Sequence, residues 1–106
     1  LKPDYAEAYA NRGMIKAASR DVNGALADYD KAIELKPDFA KPYSSRGLLK
    51  YTQGNLNGAI ADLDKAIEIQ PDYLPAYGYR AAVKKAKGDT AGAEVDQRKV
   101  EELKGR

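Results

Sequence analysis

The feature that most constrains this chain is a segment that recurs three times at an offset of about 34 residues. Residues 57–71 read NGAIADLDKAIEIQP, and residues 23–37 read NGALADYDKAIELKP. A weaker copy, AGAEVDQRKVEELKG, starts at residue 91. Self-similarity at such a period is typical of stacked units that are each too small to bury their own hydrophobic face. The chain is therefore predicted to be a linear array of three similar units.

Proline and glycine divide each unit into two helices. Pro–Asp pairs at 3–4, 37–38 and 71–72 separate the units, and their aspartates are predicted to cap the following helix. Gly-Asn or Gly-Asp at 54–55 and 88–89 predicts a left-handed turn followed by a cap, and Arg20-Asp21 takes that place in the first unit. The predicted helices are 6–19, 23–35, 40–53, 57–69, 74–87 and 91–103.

The ends of the units carry further signals. Asp4 followed by Glu7 resembles a capping box, and Pro42 and Pro75 suggest that the second and third units start a residue or two late. We expect one all-α domain with repeats at about 6–39, 40–73 and 74–106. Residues 1–5 echo the linkers between the units, so they are interpreted as the remnant of a preceding repeat linker.

Composition argues against several classes of function. The 106 residues carry a net charge of +2 from interspersed acidic and basic side chains, which does not favour a nucleic acid or an anionic membrane as partner. No apolar run approaches the roughly 20 residues of a membrane span. The chain has no cysteine and no histidine, and it lacks phosphate-binding loops and nucleophile–base pairs. Carboxylates recur with the scaffold, so neither an enzyme nor a cofactor or metal site is expected.

The order of recurring residues within the units resembles the tetratricopeptide repeat (TPR). Tyr9, Gly13, Ala25, Tyr29, Ala32 and Pro37 recur in the second unit as Tyr43, Gly47, Ala59, Leu63, Ala66 and Pro71. The resemblance covers nearly the whole chain. It implies a right-handed α-solenoid superhelix of three helix-turn-helix repeats, in which small residues let paired helices approach closely. It also implies a concave surface lined by the first helix of every repeat.

Two departures from the TPR pattern stand out. Arg12, Arg46 and Arg80 replace a large apolar residue, and Lys16, Lys50 and Lys84 replace an aromatic residue. Both series lie on the side of the first helix that packs against the second helix, where Asp28, Asp62 and Asp96 recur in phase. We therefore predict that each arginine pairs with an aspartate of its own or of an adjacent second helix, largely Asp28, Asp62 and Asp96. The third repeat is degraded, with Gln97 in place of Tyr29 and Leu63, and is interpreted as a polar terminal cap.

The concave groove is the predicted binding site. A methionine, a leucine and two tyrosines fall on a face that should be exposed to solvent, which favours contact with a ligand. The predicted partner-binding residues are Asn11, Met14, Lys41, Ser45, Leu48, Tyr51 and Tyr79. Some TPR proteins hold a C-terminal carboxylate with Lys, Asn and Arg at such places. Asn11 and Lys41 match two of them, but Ser45 stands where the arginine would be, so that function is not supported.

The sequence therefore predicts a non-catalytic scaffold that binds a peptide segment of a partner protein in its groove. Two alternatives remain open. In the first, the chain is an assembly segment that self-associates through the N-terminal repeat, which carries nothing polar to mark it as a cap. In the second, it is a helical-repeat protein that binds RNA through its basic side chains. The identity of the partner cannot be inferred from the sequence.

Overall fold

The computed structural model describes residues 5–106, and over that range it consists of six α-helices without any β-strand. The helices are α1 (Ala6–Ala18), α2 (Val22–Leu35), α3 (Ala40–Thr52), α4 (Leu56–Ile69), α5 (Leu74–Ala86) and α6 (Thr90–Lys104). Each predicted helix is present, and each end lies within one residue of its predicted place. The periodicity of the repeat was therefore a close guide to the secondary structure.

The turn inside each hairpin has the predicted chemistry. Asp21 accepts a hydrogen bond from the backbone N–H of Gly24 at 3.0 Å, and Asn55 and Asp89 cap α4 and α6 in the same way. The residue before each cap has a positive φ, which is +81° at Gly54 and 66° at Arg20. Arg20 therefore adopts the left-handed conformation at a cost of about 1–2 kcal/mol that a glycine would not incur.

The predicted caps between the units are wrong. The N-cap positions of α3 and α5 are Phe39 and Tyr73, which make no side-chain cap hydrogen bond, so the aspartate before each of them lies in the turn. Pro42 and Pro75 do not delay their helices either. Both lie within the first turn, where the missing N–H would have no helical partner in any case. The predicted capping box rests on Asp4, which lies outside the described residues.

The six helices pair into three hairpins that stack into a solenoid. Within the hairpins α1 packs on α2, α3 on α4, and α5 on α6. Successive hairpins meet through α2 with α3 and α4 with α5, while α1, α3 and α5 also contact one another in order. The result is elongated, with extents of 42 × 30 × 19 Å. This arrangement places the first helices of all three repeats along one side of the molecule.

Small residues let the paired helices approach closely. A Cβ atom at Gly47 would lie 3.0 Å from Cγ of Leu63 and 3.1 Å from the carbonyl oxygen of Ala59, so the glycine is needed for the α3–α4 contact. Two apolar clusters then form between hairpins. The first joins hairpins one and two through Ala25, Tyr29 and Leu49. The second joins hairpins two and three through Ala40, Ala59, Leu63, Ala66, Ala76 and Val83.

The last helix packs on one side only. α6 buries Ala93, Asp96 and Val100, and its other side chains are exposed or partly exposed. Gln97 is exposed, whereas Tyr29 at the equivalent position of α2 is buried. The C-terminal end of the solenoid is therefore polar, as expected of a helix that faces solvent.

Candidate functional site

A depression lies on the side formed by the first helices, between hairpins one and two. It has a volume of about 310 Å³. α1 and α3 supply its walls, Tyr29 of α2 lies among its lining residues, and Tyr79 of α5 reaches it from the third repeat. The lining residues are Met14, Ala17, Ala18, Tyr29, Ser45, Leu48, Leu49, Thr52 and Tyr79. Most of these side chains are apolar, and Ser45, Thr52 and the two tyrosines add hydroxyl groups.

Four of the seven predicted site residues meet in this depression. They are Met14, Ser45, Leu48 and Tyr79. Met14 is an exposed large apolar residue, and Leu48 is partly exposed. Because Met14 follows Asn11 by three residues and Ser45 follows Lys41 by four, the helical period aligns these positions on the same helix faces. The structure therefore gathers most of the predicted groove around one apolar depression.

Asn11 and Lys41 lie outside the depression and contact each other. The ammonium group of Lys41 donates a hydrogen bond to the amide oxygen of Asn11 at 2.8 Å. Asn11 is exposed and Lys41 is partly exposed. The two residues thus place a positive charge and an amide about one helical turn from the residues that line the depression.

Tyr51 is placed differently from the prediction, which assumed that the scaffold gives it no partner. Its side chain is partly buried and packs against the apolar cluster between hairpins two and three. The residue at the equivalent position of α1 is Ala17, which lines the depression. The contrast has a steric reason. A small side chain leaves space between hairpins one and two at the position where a tyrosine packs in the next repeat.

Sequence reasoning missed Tyr29 and Leu49 as lining residues. Both belong to the apolar cluster between hairpins one and two, so the repeat pattern correctly marked them as packing residues. Burial raises the pKa of Tyr29, against a smaller lowering by the nearby Ser45 hydroxyl. Tyr29 therefore stays protonated at neutral pH. The small side chain of Ala17, which helical phase also places on the groove side, leaves part of this packing surface uncovered.

The basic residues on the other side of the first helices are paired, as predicted. Arg46 donates two hydrogen bonds to the carboxylate of Asp62, both at 2.8 Å, and the ammonium group of Lys50 lies 3.0 Å from the same carboxylate. Arg12 and Lys16 bind Asp28, and Arg80 and Lys84 bind Asp96, in the same way. We call each set an ion triad. Guanidinium and carboxylate are bidentate in every triad, which is the strongest geometry for such a pair.

Each inner arginine also binds an aspartate on the second helix of the preceding hairpin, which agrees with the prediction that an adjacent second helix supplies a partner. A nitrogen of Arg46 donates to Asp30 at 2.9 Å, and Arg80 binds Asp64 at the same distance. These arginines therefore join the two helices of one hairpin and connect that hairpin to its neighbour.

The ion triads shift the acidities of their members. The hydrogen bond from Arg12 holds the pKa of Asp28 below its usual value, although burial opposes this. Burial alone would raise the pKa of Asp96, but the hydrogen bonds and charges of Arg80 and Lys84 outweigh it, so the pKa lies below the usual value. The bonds to Asp62 raise the pKa of Arg46 further above its usual value. The carboxylates of Asp28 and Asp96 therefore remain ionised at neutral pH.

The described part of the chain contains neither a candidate membrane span nor a candidate metal site. None of the helices between residues 5 and 106 is long and apolar enough to cross a membrane. The same residues contain no group of three or more side chains from His, Cys, Asp and Glu that could hold a metal ion. A second depression, of about 390 Å³, lies between α5 and α6, but it is lined largely by small and charged side chains and contains none of the predicted site residues.

Comparisons with known proteins agree with this architecture. A TPR repeat model matches residues 20–54, and a tetratricopeptide repeat model matches residues 40–73, so that together they span about half of the chain. No curated protein sequence matches the chain.

Several solved structures share the fold. The crystal structure of MamA is 27% identical with a TM-score of 0.88, over 99% of this chain and 61% of that one. The TPR2B domain of yeast Sti1, solved as a complex with pHsp70, is 28% identical with a TM-score of 0.87, over 92% of this chain and 78% of that one. The first TPR of Spaghetti (RPAP3), bound to an HSP90 peptide, is 20% identical with a TM-score of 0.91, over 100% of this chain and 84% of that one.

The chain spans about three fifths of the MamA structure that it matches. The matching repeat models, the six helices in three hairpins and these structural neighbours lead to one conclusion. The chain belongs to the tetratricopeptide-repeat family, whose domains generally mediate protein–protein interactions.

Proposed function

We propose that this chain is a non-catalytic interaction module that binds a peptide segment of a partner protein in its concave groove. An apolar side chain of the peptide would occupy the depression between hairpins one and two. The observation that carries this proposal is the depression itself, which gathers Met14, Leu48 and Tyr79 around an open volume of about 310 Å³. Apolar side chains gathered around an open concavity are stabilised by a ligand that covers them.

The size of the depression favours a peptide over a small molecule. Ligand pockets in proteins span about 300–1,000 Å³, and this depression lies at the lower end of that range. It would therefore accommodate one or two side chains. The hydroxyl groups of Ser45 and Tyr79 and the amide of Asn11 would hydrogen-bond the main chain of the peptide and set its direction.

Charges around the depression would contribute to selectivity. The ammonium group of Lys41 lies beside Asn11 and would favour a peptide with a carboxylate at that point. Glu7 lies on the same face and carries the opposite charge, so charge should tune specificity more than affinity. Three repeats offer a small interface, and we expect micromolar affinity, roughly −8 kcal/mol.

The structural neighbours support peptide binding but leave the partner open. The yeast Sti1 domain was solved in a complex with pHsp70, and it is among the neighbours more than 25% identical to this chain. This chain carries Ser45 where the carboxylate-binding arginine of some TPR proteins would stand. We therefore expect an internal apolar anchor to contribute more than a C-terminal carboxylate.

The ion triads argue against RNA as the principal ligand. Arg46 and Arg80 each bind two aspartates, so the donors of their guanidinium groups are already used in hydrogen bonds within the protein. A phosphate backbone would have to displace these carboxylates. Protein remains the better supported partner.

The test is to select peptides from a random library displayed on phage and to measure the affinity of a selected peptide by calorimetry. Leu48→Glu should weaken binding at least about tenfold, the equivalent of about 1.4 kcal/mol, because a carboxylate would then face the apolar anchor. The melting temperature should change little. Val95→Glu is the matched control, because Val95 is an exposed apolar residue on α6 that does not line the depression.

Two results would contradict the proposal. If Leu48→Glu binds the peptide as tightly as Val95→Glu, the depression is not the site. If Leu48→Glu unfolds the domain, Leu48 is a packing residue, and Met14→Glu then decides, because Met14 is exposed. Full binding by a folded Met14→Glu variant would exclude the groove.

A further inference from the structure

The depression between hairpins one and two has a counterpart between hairpins two and three, and side chains fill that counterpart. Tyr51 and Tyr79 pack there against the apolar cluster that joins the two hairpins. The equivalent positions one repeat earlier hold Ala17 and Ser45, and both of these residues line the depression. The depression is therefore the place at which two small side chains stand where the next repeat carries tyrosines.

The surface beneath the depression is of the kind on which a tyrosine packs. The cluster against which Tyr51 packs includes Leu63 and Val83. Their equivalents one repeat earlier are Tyr29 and Leu49, which belong to the cluster between hairpins one and two and also line the depression. A tyrosine side chain supplied from outside would therefore find between hairpins one and two the surface that Tyr51 finds one repeat later.

The polar groups at the depression are hydroxyl groups, and none of the described side chains that line it is charged at neutral pH. Burial raises the pKa of Tyr29, the Ser45 hydroxyl lowers it and Tyr79 raises it further, so these three hydroxyl groups lie close enough to interact. Thr52 differs, because its hydroxyl donates to the carbonyl oxygen of Leu49 at 2.7 Å. Neutral hydroxyl groups suit a ligand group that both donates and accepts a hydrogen bond. An ionised side chain would lose its hydration here without gaining an opposite charge.

We propose that the side chain which occupies the depression is a tyrosine of the partner peptide. Its ring takes the place that Ala17 leaves open, against Met14 and Tyr79. Its hydroxyl group meets the hydroxyl groups of Ser45 and Tyr29. Contacts of a ring with a thioether and with another ring both favour an aromatic side chain over an aliphatic one. This assignment rests on the proposed function, because it presupposes that a peptide binds in the groove.

The first test uses the peptides selected by phage display, which should share a tyrosine. Met14 is the single methionine of the chain and lines the depression, so carbon-13 labelling of its methyl group gives an NMR signal from the site itself. The ring current of the bound tyrosine should shift this signal, and leucine in its place should remove the shift. Phenylalanine in place of the tyrosine should keep the shift but weaken binding about fivefold, the equivalent of one hydrogen bond.

The second test fills the depression from within. Ala17→Tyr introduces the residue that the next repeat carries at Tyr51, so the affinity for the tyrosine peptide should fall at least about tenfold while the melting temperature stays the same or rises. Ala27→Tyr is the matched control, because Ala27 is exposed on α2 and does not line the depression. Circular dichroism shows whether each variant is folded. Ser45→Tyr, which introduces the other tyrosine of the next repeat, replaces Ala17→Tyr if that variant does not fold.

The outcomes separate this assignment from the proposed function. If Leu48→Glu weakens binding but the selected peptides share no tyrosine, the groove binds a peptide and the tyrosine assignment is wrong. Equal affinity for the tyrosine and phenylalanine peptides would overturn the assignment too, because the hydroxyl groups would then play no part. So would a folded Ala17→Tyr variant that binds as tightly as Ala27→Tyr. If Leu48→Glu leaves binding unchanged, the proposed function itself fails, and this assignment fails with it.

Discussion

The two carboxylates bound by Arg46 provide a direct measure of what burial does to an ion pair. Asp62 is 8% exposed and accepts two hydrogen bonds from Arg46, while Lys50 lies 3.0 Å away. Asp30 is 63% exposed and accepts one. Asp62→Asn and Asp30→Asn keep the shape of each side chain and remove its charge. The two substitutions therefore compare the same chemistry and the same partner in two environments.

We expect Asp62→Asn to lower the free energy of unfolding by about 2–3 kcal/mol. Breaking a buried pair costs about 3–5 kcal/mol, and the partial exposure of Arg46 and Lys50 lets water recover part of that. Asp30→Asn should cost about 0.5 kcal/mol, as for a surface pair. One kcal/mol corresponds to a shift of about 4–8 °C in a domain of this size. The melting temperature should therefore fall by roughly 10–20 °C for Asp62→Asn and by a few degrees for Asp30→Asn.

Urea denaturation followed by circular dichroism measures both values. A double-mutant cycle with Arg46→Met should then give a coupling energy above about 1 kcal/mol for Asp62 and below that for Asp30. Exchanging the charges of Arg46 and Asp62 is not a clean test, because Asp30 and Lys50 would then face like charges. Equal losses for Asp62→Asn and Asp30→Asn would refute the reasoning.

Three further predictions concern stability. Arg20→Gly should raise the free energy of unfolding, measured in urea, by about 0.5–1 kcal/mol. The strain relieved at the left-handed residue exceeds the entropic cost of the more flexible glycine in the unfolded chain. A lower free energy of unfolding would show that Arg20 makes an unrecognised contact. Ser44→Ala should raise the melting temperature, because the buried Ser44 hydroxyl has no hydrogen-bond partner in the described chain; a fall would point to a bound water. The lowered pKa of Asp96 implies stability that is present above about pH 4, the ordinary range of an aspartate, and is lost as pH falls through its folded value. Asp96→Asn should therefore reduce the free energy of unfolding at pH 7, and that free energy should then fall less steeply between about pH 5 and pH 2 than in the parent chain. The same dependence on pH in both proteins would show that the triad is not linked to acid unfolding.

The fold was predictable because the same pattern of packing residues recurs in all three units. Small residues at equivalent positions, such as Gly47 and Ala59, marked the helix pairing, and the shared phase of Arg46 and Asp62 marked their ion pair. A bond from Arg46 to an adjacent second helix was predicted, but Asp30 was not singled out as its acceptor, because that choice depends on how one hairpin sits on the next. Periodicity within a helix carries little information about that relation.

The site was predictable only in part. Helical phase put Met14, Leu48 and Tyr79 on the groove side, and the structure gathers them around one depression. Tyr51 and Tyr79 both pack against the apolar cluster between hairpins two and three, but only Tyr79 also lines the depression. Helical phase could not distinguish them, because it gives the direction of a side chain and not how far the neighbouring hairpin covers it. The depression lies where the repeats differ, at Ala17, whose small side chain already indicated room on the groove side. The repeat pattern marked Tyr29 and Leu49 only as packing residues and did not indicate that they line the depression.

The alanine-rich contacts between the helices have a consequence for uniqueness. Alanines such as Ala25, Ala59 and Ala66 are alike in size and shape, so by themselves they distinguish poorly between one alignment of the paired helices and another. A bidentate arginine tolerates no such slide, because moving Asp62 by about 5 Å would leave a buried carboxylate without its donors. We infer that the alanines bring the helices close, while the close contact at Gly47 and the buried charges fix a single alignment.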